Sequence, residues 1–289
     1  MIPAPFDYVR PNSLAEAAEL AASASDSGVI LAGGQSLLTD LKQRRKRPRL
    51  VIDIGAIPGL DAIEVRQDSI RIGAMARQAD IARHSAIVRH LPLLPQVAAV
   101  AADPMVRRRA TLVGALCEVE PGGDWVAASL ALDATVVGAG PSGDWEMQLC
   151  NLVRGPKRTA LHPGAIATAV IFRLPEPRRA MRYTKAKHAA IGWSIASVAA
   201  VVDFSSDGRL SSAAIAVAGA TATPQRLPSL EAALVGKLPV DEVQTAQEVE
   251  RALKGLTLQG DYYASESYRS ARLAVLIRRT LIDLARLRS

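Results

Sequence analysis

Hydrophobic and polar positions near the start of the chain follow first a strand pattern and then a helix pattern. Residues Phe6–Val9 alternate as a short strand does. Ser13 and Glu16 have the spacing of a capping box, in which Ser13 accepts from the N3 amide and Glu16 reaches back to the N-cap. We therefore expect an alanine-rich helix from Ser13 to about Ser25.

A strand, a helix and another strand follow in the pattern. Val29–Leu31 is an apolar run that ends at a glycine pair, and Leu37–Arg45 has helical spacing. Leu50–Ile54 is apolar again after Pro48, which breaks the helix. This order, with glycines between the elements, is typical of an α/β unit.

The middle of the chain favours antiparallel strands around a helical region. Ile63–Val65 and Ile70–Ile72 alternate on either side of Gln67-Asp68, which predicts a hairpin. A helical region is expected from Gln78 to about Ala102, and another strand at Ala169–Phe172.

Residues Gly138–Gly143 spell G-x-G-x-x-G, the pattern of a dinucleotide-binding turn. That turn must open a helix, but Pro141 and the polar residues after it do not. A hairpin that joins Thr135–Val137 to Trp145–Met147 accounts for the glycines better, so the sequence excludes a Rossmann domain.

The last third predicts a sheet followed by a long helix. The segments that suggest strands, or a mixture of strand and helix, are Met181–Lys185, Ser194–Asp203 and Leu210–Ala218, with a turn at Asp207-Gly208. An amphipathic helix is expected from Ser265 to Arg288, with an apolar stripe of Tyr268, Leu273, Leu276, Ile277, Leu281, Leu284 and Leu287.

Composition places the chain among globular proteins. Its 289 residues are enough for two domains or one large one, and no apolar run approaches the roughly 20 residues of a membrane span. No signal peptide is evident at the start, so we expect a cytoplasmic protein. The two cysteines, Cys117 and Cys150, supply neither a disulfide framework nor a CxxC metal motif. Any metal chemistry is therefore expected on another chain.

The chain is basic, with a formal net charge of +7 and a pI of about 9.7. Nucleic acid is the weakest candidate for a partner, because aromatic residues make up only 4% and no nucleic-acid motif occurs. The basic runs Lys42–Arg47 and Arg107–Arg109 suit acidic partner subunits or the phosphates of a nucleotide.

The glycine pair Gly33-Gly34 is the main candidate for chemistry. Glycines allow positive φ and leave no Cβ in the way, so successive N–H groups can converge on an anion. An ordinary strand-to-helix turn would also account for the pair. Two features favour a phosphate site: Gln35-Ser36 adds side-chain donors, and Thr111–Ala115 forms a second candidate turn.

These two stretches resemble the FAD-binding medium subunit of the molybdenum hydroxylases, the family of carbon monoxide dehydrogenase and xanthine dehydrogenase. Residues Ala32–Leu37 match the family's AGGQSL motif in full, and the likeness runs from about Phe6 to Arg279. The resemblance implies an α+β fold: a two-lobed FAD-binding domain of the vanillyl-alcohol oxidase (PCMH) type, followed by a smaller α+β domain. The expected boundaries are 1–177, with lobes of about 1–55 and 56–177, and 178–289, with the break at Pro175–Pro177.

The resemblance also implies a set of FAD-binding residues. The diphosphate would be held from both lobes, Asp124 would bond the sugar-like part of the flavin, and Lys185 would approach its ring. The expected cofactor-binding residues are Leu31, Ala32, Gly33, Gly34, Gln35, Ser36, Leu37, Thr111, Gly114, Ala115, Asp124 and Lys185. Arg269, Arg278 and Arg279 match a basic tail pattern that we interpret as structural.

By the same resemblance, the chain relays electrons through FAD to an external acceptor. Molybdopterin and 2Fe-2S clusters would lie on a large and a small partner subunit, and no catalytic or metal-binding residue is expected on this chain. The substrate, the acceptor and the stoichiometry of the assembly are left open.

The second motif departs from the family pattern. Val113 replaces a glycine of the usual T-I-G-G-S. If this position requires a positive φ, a β-branched residue costs roughly 1–2 kcal/mol there; if its φ is negative, the cost is reduced to crowding. Glu118 and Glu120 add negative charge near the expected diphosphate, unless Arg107–Arg109 face the same pocket. These departures define an alternative, in which a flavin-free homologue serves as a structural or assembly subunit.

Overall fold

The N-terminal region folds around a small parallel sheet. The computed structural model describes residues 2–174, 179–188, 192–238 and 242–286. Its first elements are β1 (Asp7–Val9), α1 (Leu14–Ala24), β2 (Gly28–Leu31), α2 (Leu37–Lys42) and β3 (Leu50–Asp53). Strand β3 is central and pairs in parallel with β1 and β2. The predicted α/β unit is confirmed.

Two details at the helix ends differ from prediction. The Ser13 hydroxyl accepts from the Glu16 amide at 3.2 Å as expected, but the Glu16 carboxylate accepts from the Asn12 amide at 2.9 Å. Helix α2 ends at Lys42, before the predicted Arg45, because Arg44 takes a left-handed φ of 56°.

The second region is an antiparallel sheet with helices inserted between its strands. Its elements are β4 (Ile63–Val65), β5 (Ser69–Gly73), α3 (Gln78–Ile81), α4 (Ser85–His90), α5 (Leu93–Val100), α6 (Pro104–Arg107), α7 (Leu112–Glu118), α8 (Asp124–Ala131), β6 (Thr135–Gly140), β7 (Gly143–Gln148), α9 (Leu149–Leu152), β8 (Val153–Gly155), β9 (Arg158–Thr159) and β10 (Ile166–Arg173). The strand order is β4-β5-β10-β6-β7, and β8 pairs with β9 alone. The hairpin predicted around Gln67-Asp68 is confirmed.

The helical region predicted from Gln78 to about Ala102 is confirmed, but it is not one continuous helix. It is divided into α3, α4 and α5. Pro92 stands at the N-cap of α5, where its ring would collide with the carbonyl of a helix continuing from α4. The break lets both helices bury apolar side chains, among them Ile87 and Leu94.

The G-x-G-x-x-G segment is a hairpin, as predicted. Strands β6 and β7 pair from Thr135 with Gln148 to Gly140 with Gly143. A Cβ at Gly138 would lie 2.3 Å from the ring of Trp145 on the facing strand. The glycine therefore makes room for a tryptophan, and no helix opens after it.

The C-terminal region is a four-stranded antiparallel sheet with three helices. Its elements are β11 (Arg179–Lys187), β12 (Ser194–Phe204), β13 (Leu210–Ala218), β14 (Gln225–Arg226), α10 (Pro228–Leu234), α11 (Glu242–Lys254) and α12 (Glu266–Arg286). The three segments predicted as strands or a mixture are all strands, and the long terminal helix is confirmed within the described ranges. The prediction of Tyr268 in the buried stripe of that helix is wrong, because Tyr268 is exposed. Leu287 and the predicted domain break at Pro175–Pro177 lie outside the described residues, so the division at 177/178 stays a prediction.

Both faces of the C-terminal sheet are buried. Ala199 and Val201 of β12 pack with the helices of the second region, while Val198 and Val202 pack with α10, α11 and α12. This burial is the reason that β12 is apolar at nearly every position. Within the described ranges, no helix combines the length and the apolar character needed to cross a lipid bilayer.

Candidate functional site

The two glycine motifs meet at the junction of the first and second regions. Leu31 ends β2, Ala32 to Ser36 form a turn in which Gly34 has a φ of 75°, and Leu37 begins α2. A Cβ built on Gly33 would lie 2.4 Å from the carbonyl oxygen of Arg109 and 2.9 Å from the Cα of Ala110. Only glycine lets the first motif lie this close to the segment that leads into Thr111.

The turn presents unused hydrogen-bond donors. Among the described residues, no acceptor is found for the backbone N–H groups of Gly33, Gly34, Gln35 and Ser36. Consecutive N–H groups around a residue of positive φ form a concave anion site, and here they precede the start of α2. The arrangement fits a diphosphate.

The second motif lies where the connection from α6 enters α7, and hydrogen bonds fix its geometry. Thr111 is the N-cap of α7, and its hydroxyl accepts from the Gly114 amide at 3.1 Å. The Gln78 side chain donates to the Thr111 carbonyl at 3.2 Å. Gly114 therefore lies in the first turn of α7 with its amide engaged by the cap, and Ala115 follows it in the helix.

Val113 is free of the backbone strain that a positive φ would cause. It is the second residue of α7, has no positive φ, and is 2% exposed. Its side chain packs in the core shared with Leu112 and Leu116. The β-branched residue therefore fits a helical backbone and points its methyl groups into the protein.

Glu118 and Glu120 form ion pairs with lysines, and not with Arg107–Arg109. The Lys157 Nζ lies 3.3 Å from Glu118, 3.2 Å from Glu120 and 3.9 Å from Asp40, and Lys46 lies 3.7 Å from Glu118. Burial acts to lower the pKa of Lys157, but Glu120 and Glu118 outweigh it and raise that pKa.

Arg107 does not face these carboxylates. Its guanidinium donates to the carbonyls of Ala101 and Ala102, and the described residues show no ion pair to Arg108 or Arg109. Of the two arrangements left open by the sequence, Arg107–Arg109 do not neutralise these carboxylates, and the lysines around them do.

The structure brings Asp124 and Lys185 together. Asp124 is the first residue of α8 and Lys185 lies on β11; their side chains are 2.7 Å apart and 9% and 3% exposed. Tyr183, on the same strand face as Lys185, donates its hydroxyl to the other carboxylate oxygen at 2.5 Å. The three side chains form a buried group between the second and C-terminal regions.

Burial raises the pKa of Asp124, while the charge and hydrogen bond of Lys185 and the hydroxyl of Tyr183 act in the opposite direction. Burial likewise raises the pKa of Tyr183 well above its ordinary value, and Asp124 adds to the shift. Tyr183 is therefore a hydrogen-bond donor at physiological pH. Tyr183 and Lys185 therefore hold the two oxygens of the Asp124 carboxylate in fixed positions.

Tyr183 and Gln96 were not identified from the sequence. The Gln96 side chain accepts from the Tyr183 amide at 2.8 Å and donates to the Met181 carbonyl at 3.2 Å, so it ties α5 to β11. Tyr183 could have been found from its spacing, because side chains two apart on a strand share a face. Gln96 lies in an apolar helix and has no such spacing to mark it.

An open pocket of about 140 Å³ lies where the loop Glu120–Gly122 approaches the C-terminal sheet. Trp193 and Tyr263 line it together with Arg269. Arg269 is 5% exposed and donates to the carbonyls of Ile195 and Gly219 and to Asp261. These contacts fit the structural role expected for Arg269, whereas Arg278 and Arg279 are exposed on α12.

The Cys117 thiol and the possible metal-ligating side chains do not form a further reactive site among the described residues. Burial raises the pKa of Cys117 to about 12, and the charge of Glu118 adds to the shift, so this thiol is not a nucleophile near neutral pH. In the described part of the chain, no three His, Cys, Asp or Glu side chains are grouped as metal ligands.

Two backbone turns that meet across the first and second regions, one of them with unused N–H donors, give this α+β protein a candidate site for a diphosphate. Residues 4–177 match the family described as the FAD binding domain in molybdopterin dehydrogenase, and residues 181–284 match the CO dehydrogenase flavoprotein C-terminal domain. The chain therefore belongs to the FAD-binding medium subunits of the molybdopterin dehydrogenases.

Individual relatives align with this chain over nearly their whole length. The chain is 33% identical to the nicotine 6-hydroxylase medium subunit of Paenarthrobacter nicotinovorans, over 96% of each chain. It is 31% identical to the carbon monoxide dehydrogenase medium chain of Hydrogenophaga pseudoflava, over 97% of each. A solved carbon monoxide dehydrogenase structure from Hydrogenophaga pseudoflava superposes with a TM-score of 0.94 at 30% identity, covering 100% of this chain and 99% of that one. Quinoline 2-oxidoreductase from Pseudomonas putida 86 gives 0.92 at 26% identity, with the same coverage.

Proposed function

We propose that this chain binds FAD and relays electrons within a molybdenum hydroxylase, from iron–sulfur clusters to an external acceptor. The observation that carries the proposal is the contact of Gly33 with the Arg109–Thr111 backbone, beside four N–H groups for which the described residues offer no acceptor. Two lobes that close this tightly around unused donors fit a dinucleotide with a diphosphate at its centre.

The residues of this chain would position the cofactor and set its electrostatic surroundings. Leu31–Leu37 would hold the diphosphate from the first lobe, and Thr111, Gly114 and Ala115 would approach it from the second. Asp124 and Lys185 would provide a fixed acceptor and a fixed positive charge for the remaining polar groups. When bound, FAD supplies the ability to take up electrons singly or in pairs and to release them.

The partners in this proposal are a small iron–sulfur subunit and a large molybdopterin subunit, in the cytoplasm. No CxxC motif occurs in the sequence, and the described residues offer no metal site, so the chain would depend on those subunits for its electrons.

The residues that favoured a flavin-free homologue do not obstruct the diphosphate site. Val113 takes a helical φ and points into the core, so its methyl groups are not directed at the diphosphate. Glu118 and Glu120 are paired with Lys157, and Glu118 also with Lys46, which leaves little free negative charge near the turn. Both observations support retained FAD.

The test is FAD binding by Gly33→Ala. The added Cβ would collide with the Arg109 carbonyl, a backbone atom that cannot rotate away, and should force the lobes apart. We expect visible flavin absorption in the purified wild-type protein and FAD affinity at least about tenfold weaker in the variant, a loss of roughly 1.4 kcal/mol.

Gly255→Ala is the matched control, because its Cβ would meet only the Ala252 carbonyl at an ordinary 3.5 Å. Wild-type protein that is colourless and takes up no added FAD would overturn the proposal and support the flavin-free alternative. Equal FAD affinity in both glycine variants would show that the lobe contact does not form the site.

A further inference from the structure

The charge of this protein is concentrated in one place. The segments 42–49 and 153–159, here called the basic patch, contain nine basic side chains and no acidic one: Lys42, Arg44, Arg45, Lys46, Arg47, Arg49, Arg154, Lys157 and Arg158. Eight of the nine residues are exposed, and Lys46 is half-buried. The first segment joins α2 to β3, and the second is the β8–β9 hairpin.

Ion pairs hold the two segments side by side. Arg45 and Lys157 share Asp40, at 2.8 Å and 3.9 Å, and Lys46 and Lys157 share Glu118, at 3.7 Å and 3.3 Å. The patch is therefore one surface built from two segments about a hundred residues apart in sequence.

The patch carries most of the net charge of the chain. Its nine basic residues meet three carboxylates, Asp40, Glu118 and Glu120, which leaves an excess of six out of the net +7. No ion pair is found within the described ranges for six exposed members: Lys42, Arg44, Arg47, Arg49, Arg154 and Arg158. The rest of the molecule has a net charge close to zero, so the positive electrostatic potential of the protein is concentrated at this surface.

The composition of the patch favours an acidic protein surface as its partner. Neither segment contains an aromatic residue on which a base could stack or with which a membrane interface could be anchored. Six of the nine basic residues are arginines, the side chain whose planar guanidinium binds carboxylates in pairs and is enriched at protein interfaces.

We propose that the basic patch docks an acidic face of another subunit of the complex. This rests on the proposed function only in expecting such a subunit, and it does not depend on whether FAD is bound. Charges at the rim of an interface mainly change the association rate and its dependence on salt. The contact should therefore be strong at low ionic strength and weaken as salt is added.

The experiment compares two quadruple variants in the complex isolated from the organism that makes it. The patch variant is Arg47→Gln, Arg49→Gln, Arg154→Gln and Arg158→Gln. The control is Arg89→Gln, Arg173→Gln, Arg278→Gln and Arg279→Gln, four exposed arginines outside the patch. Both remove the same charge and no buried side chain, so flavin content and the circular dichroism spectrum should match the wild type.

We expect the patch variant to leave the complex at lower salt, with affinity for the other subunits at least about tenfold weaker at 0.15 M salt and a smaller salt dependence. The control should stay within about twofold of the wild type. Equal affinity of both variants would overturn the inference while leaving FAD binding untouched.

Two probes test the other classes of anionic partner, a DNA duplex of about 20 base pairs and vesicles containing phosphatidylserine. If the wild type binds either probe through the patch, and the patch variant assembles normally, the protein partner is wrong. A wild-type chain that never joins other subunits would contradict the proposed function itself.

Discussion

The positive charge of Lys185 sits beside a carboxylate that is also removed from water. Asp124 and Lys185 are both almost fully buried and 2.7 Å apart. Breaking a buried pair is costly because the remaining charge keeps its desolvation penalty without its partner. The pair therefore matters to the stability of the protein as well as to the proposed site.

Lys185→Met should lower the free energy of unfolding by about 3–5 kcal/mol at neutral pH. Burial already raises the pKa of Asp124, and the variant loses the opposing effect of Lys185. The unfolded pKa of an aspartate is about 3.9. When the folded pKa is higher, the protonated carboxyl favours the folded state at low pH, and stability falls as pH rises through the folded pKa. The gap between variant and wild type should widen from pH 4 to pH 7.

Urea unfolding at a series of pH values measures this gap. Lys187→Met, on the same strand but exposed, is the control and should change stability by less than about 0.5 kcal/mol. A loss that is the same at every pH would show that Asp124 does not carry the charge left behind.

Val113 is a second residue whose environment decides its effect. Because it packs in the core, Val113→Gly should remove buried apolar surface and place glycine in a helix, lowering stability by about 2–4 kcal/mol. FAD affinity should not increase. Denaturant unfolding and FAD titration measure the two effects, and a glycine variant that is stable and binds FAD more tightly would show that the valine obstructs the site.

At the scale of elements, Lys157 connects α2, α7 and the β8–β9 hairpin. Its amide donates to the Val119 carbonyl, and its side chain meets Asp40 of α2 and Glu118 of α7. The side chain is 38% exposed, so each ion pair is partly screened by water. The hairpin therefore closes over the junction of the two lobes through a shared charge.

Lys157→Met should lower the free energy of unfolding by about 1 kcal/mol at low salt, because three carboxylates lose their common cation. The difference should shrink above about 0.5 M salt. Since its neighbours raise the pKa of Lys157, its contribution should be complete at neutral pH and decline only at alkaline pH, above its unfolded pKa.

Thermal unfolding in increasing salt provides the measurement for Lys157, with Lys42→Met as the control. Lys42 is exposed, and the described residues give it no ion pair. A salt-independent loss in the Lys157 variant would point to lost packing of its alkyl chain instead.

At the scale of the whole molecule, the C-terminal sheet belongs to two cores at once. Alternate residues of β12 pack against α8 on one face and against α12 on the other. Arg226 adds a polar link, since its guanidinium binds Asp133 and Glu231. Because the sheet buries apolar residues on both faces, we expect it to couple the stability of the two regions that it joins.

We expect calorimetry of the full chain to show one cooperative unfolding transition, with calorimetric and van't Hoff enthalpies that agree. Arg226→Met should lower the transition temperature without dividing it. Two well-separated transitions in the wild type would show that the sheet does not couple the regions.

The amino-acid sequence by itself determined most elements of this fold and their type. Period-two alternation marked the hairpins, an S-x-x-E spacing marked the first helix, and Gly33-Gly34 marked the turn that meets the second lobe. These features are local, because each depends on residues that are neighbours in the chain.

Tertiary structure alone decided the features that join distant segments. The φ of Val113, the pairing of Glu118 with Lys157 and the contact of Tyr183 with Asp124 depend on packing and charge between distant parts of the chain. A sequence pattern records which side chains are present, but it does not record which partner lies opposite in space. The free energy of burial and pairing depends on that partner, and only the folded chain supplies it.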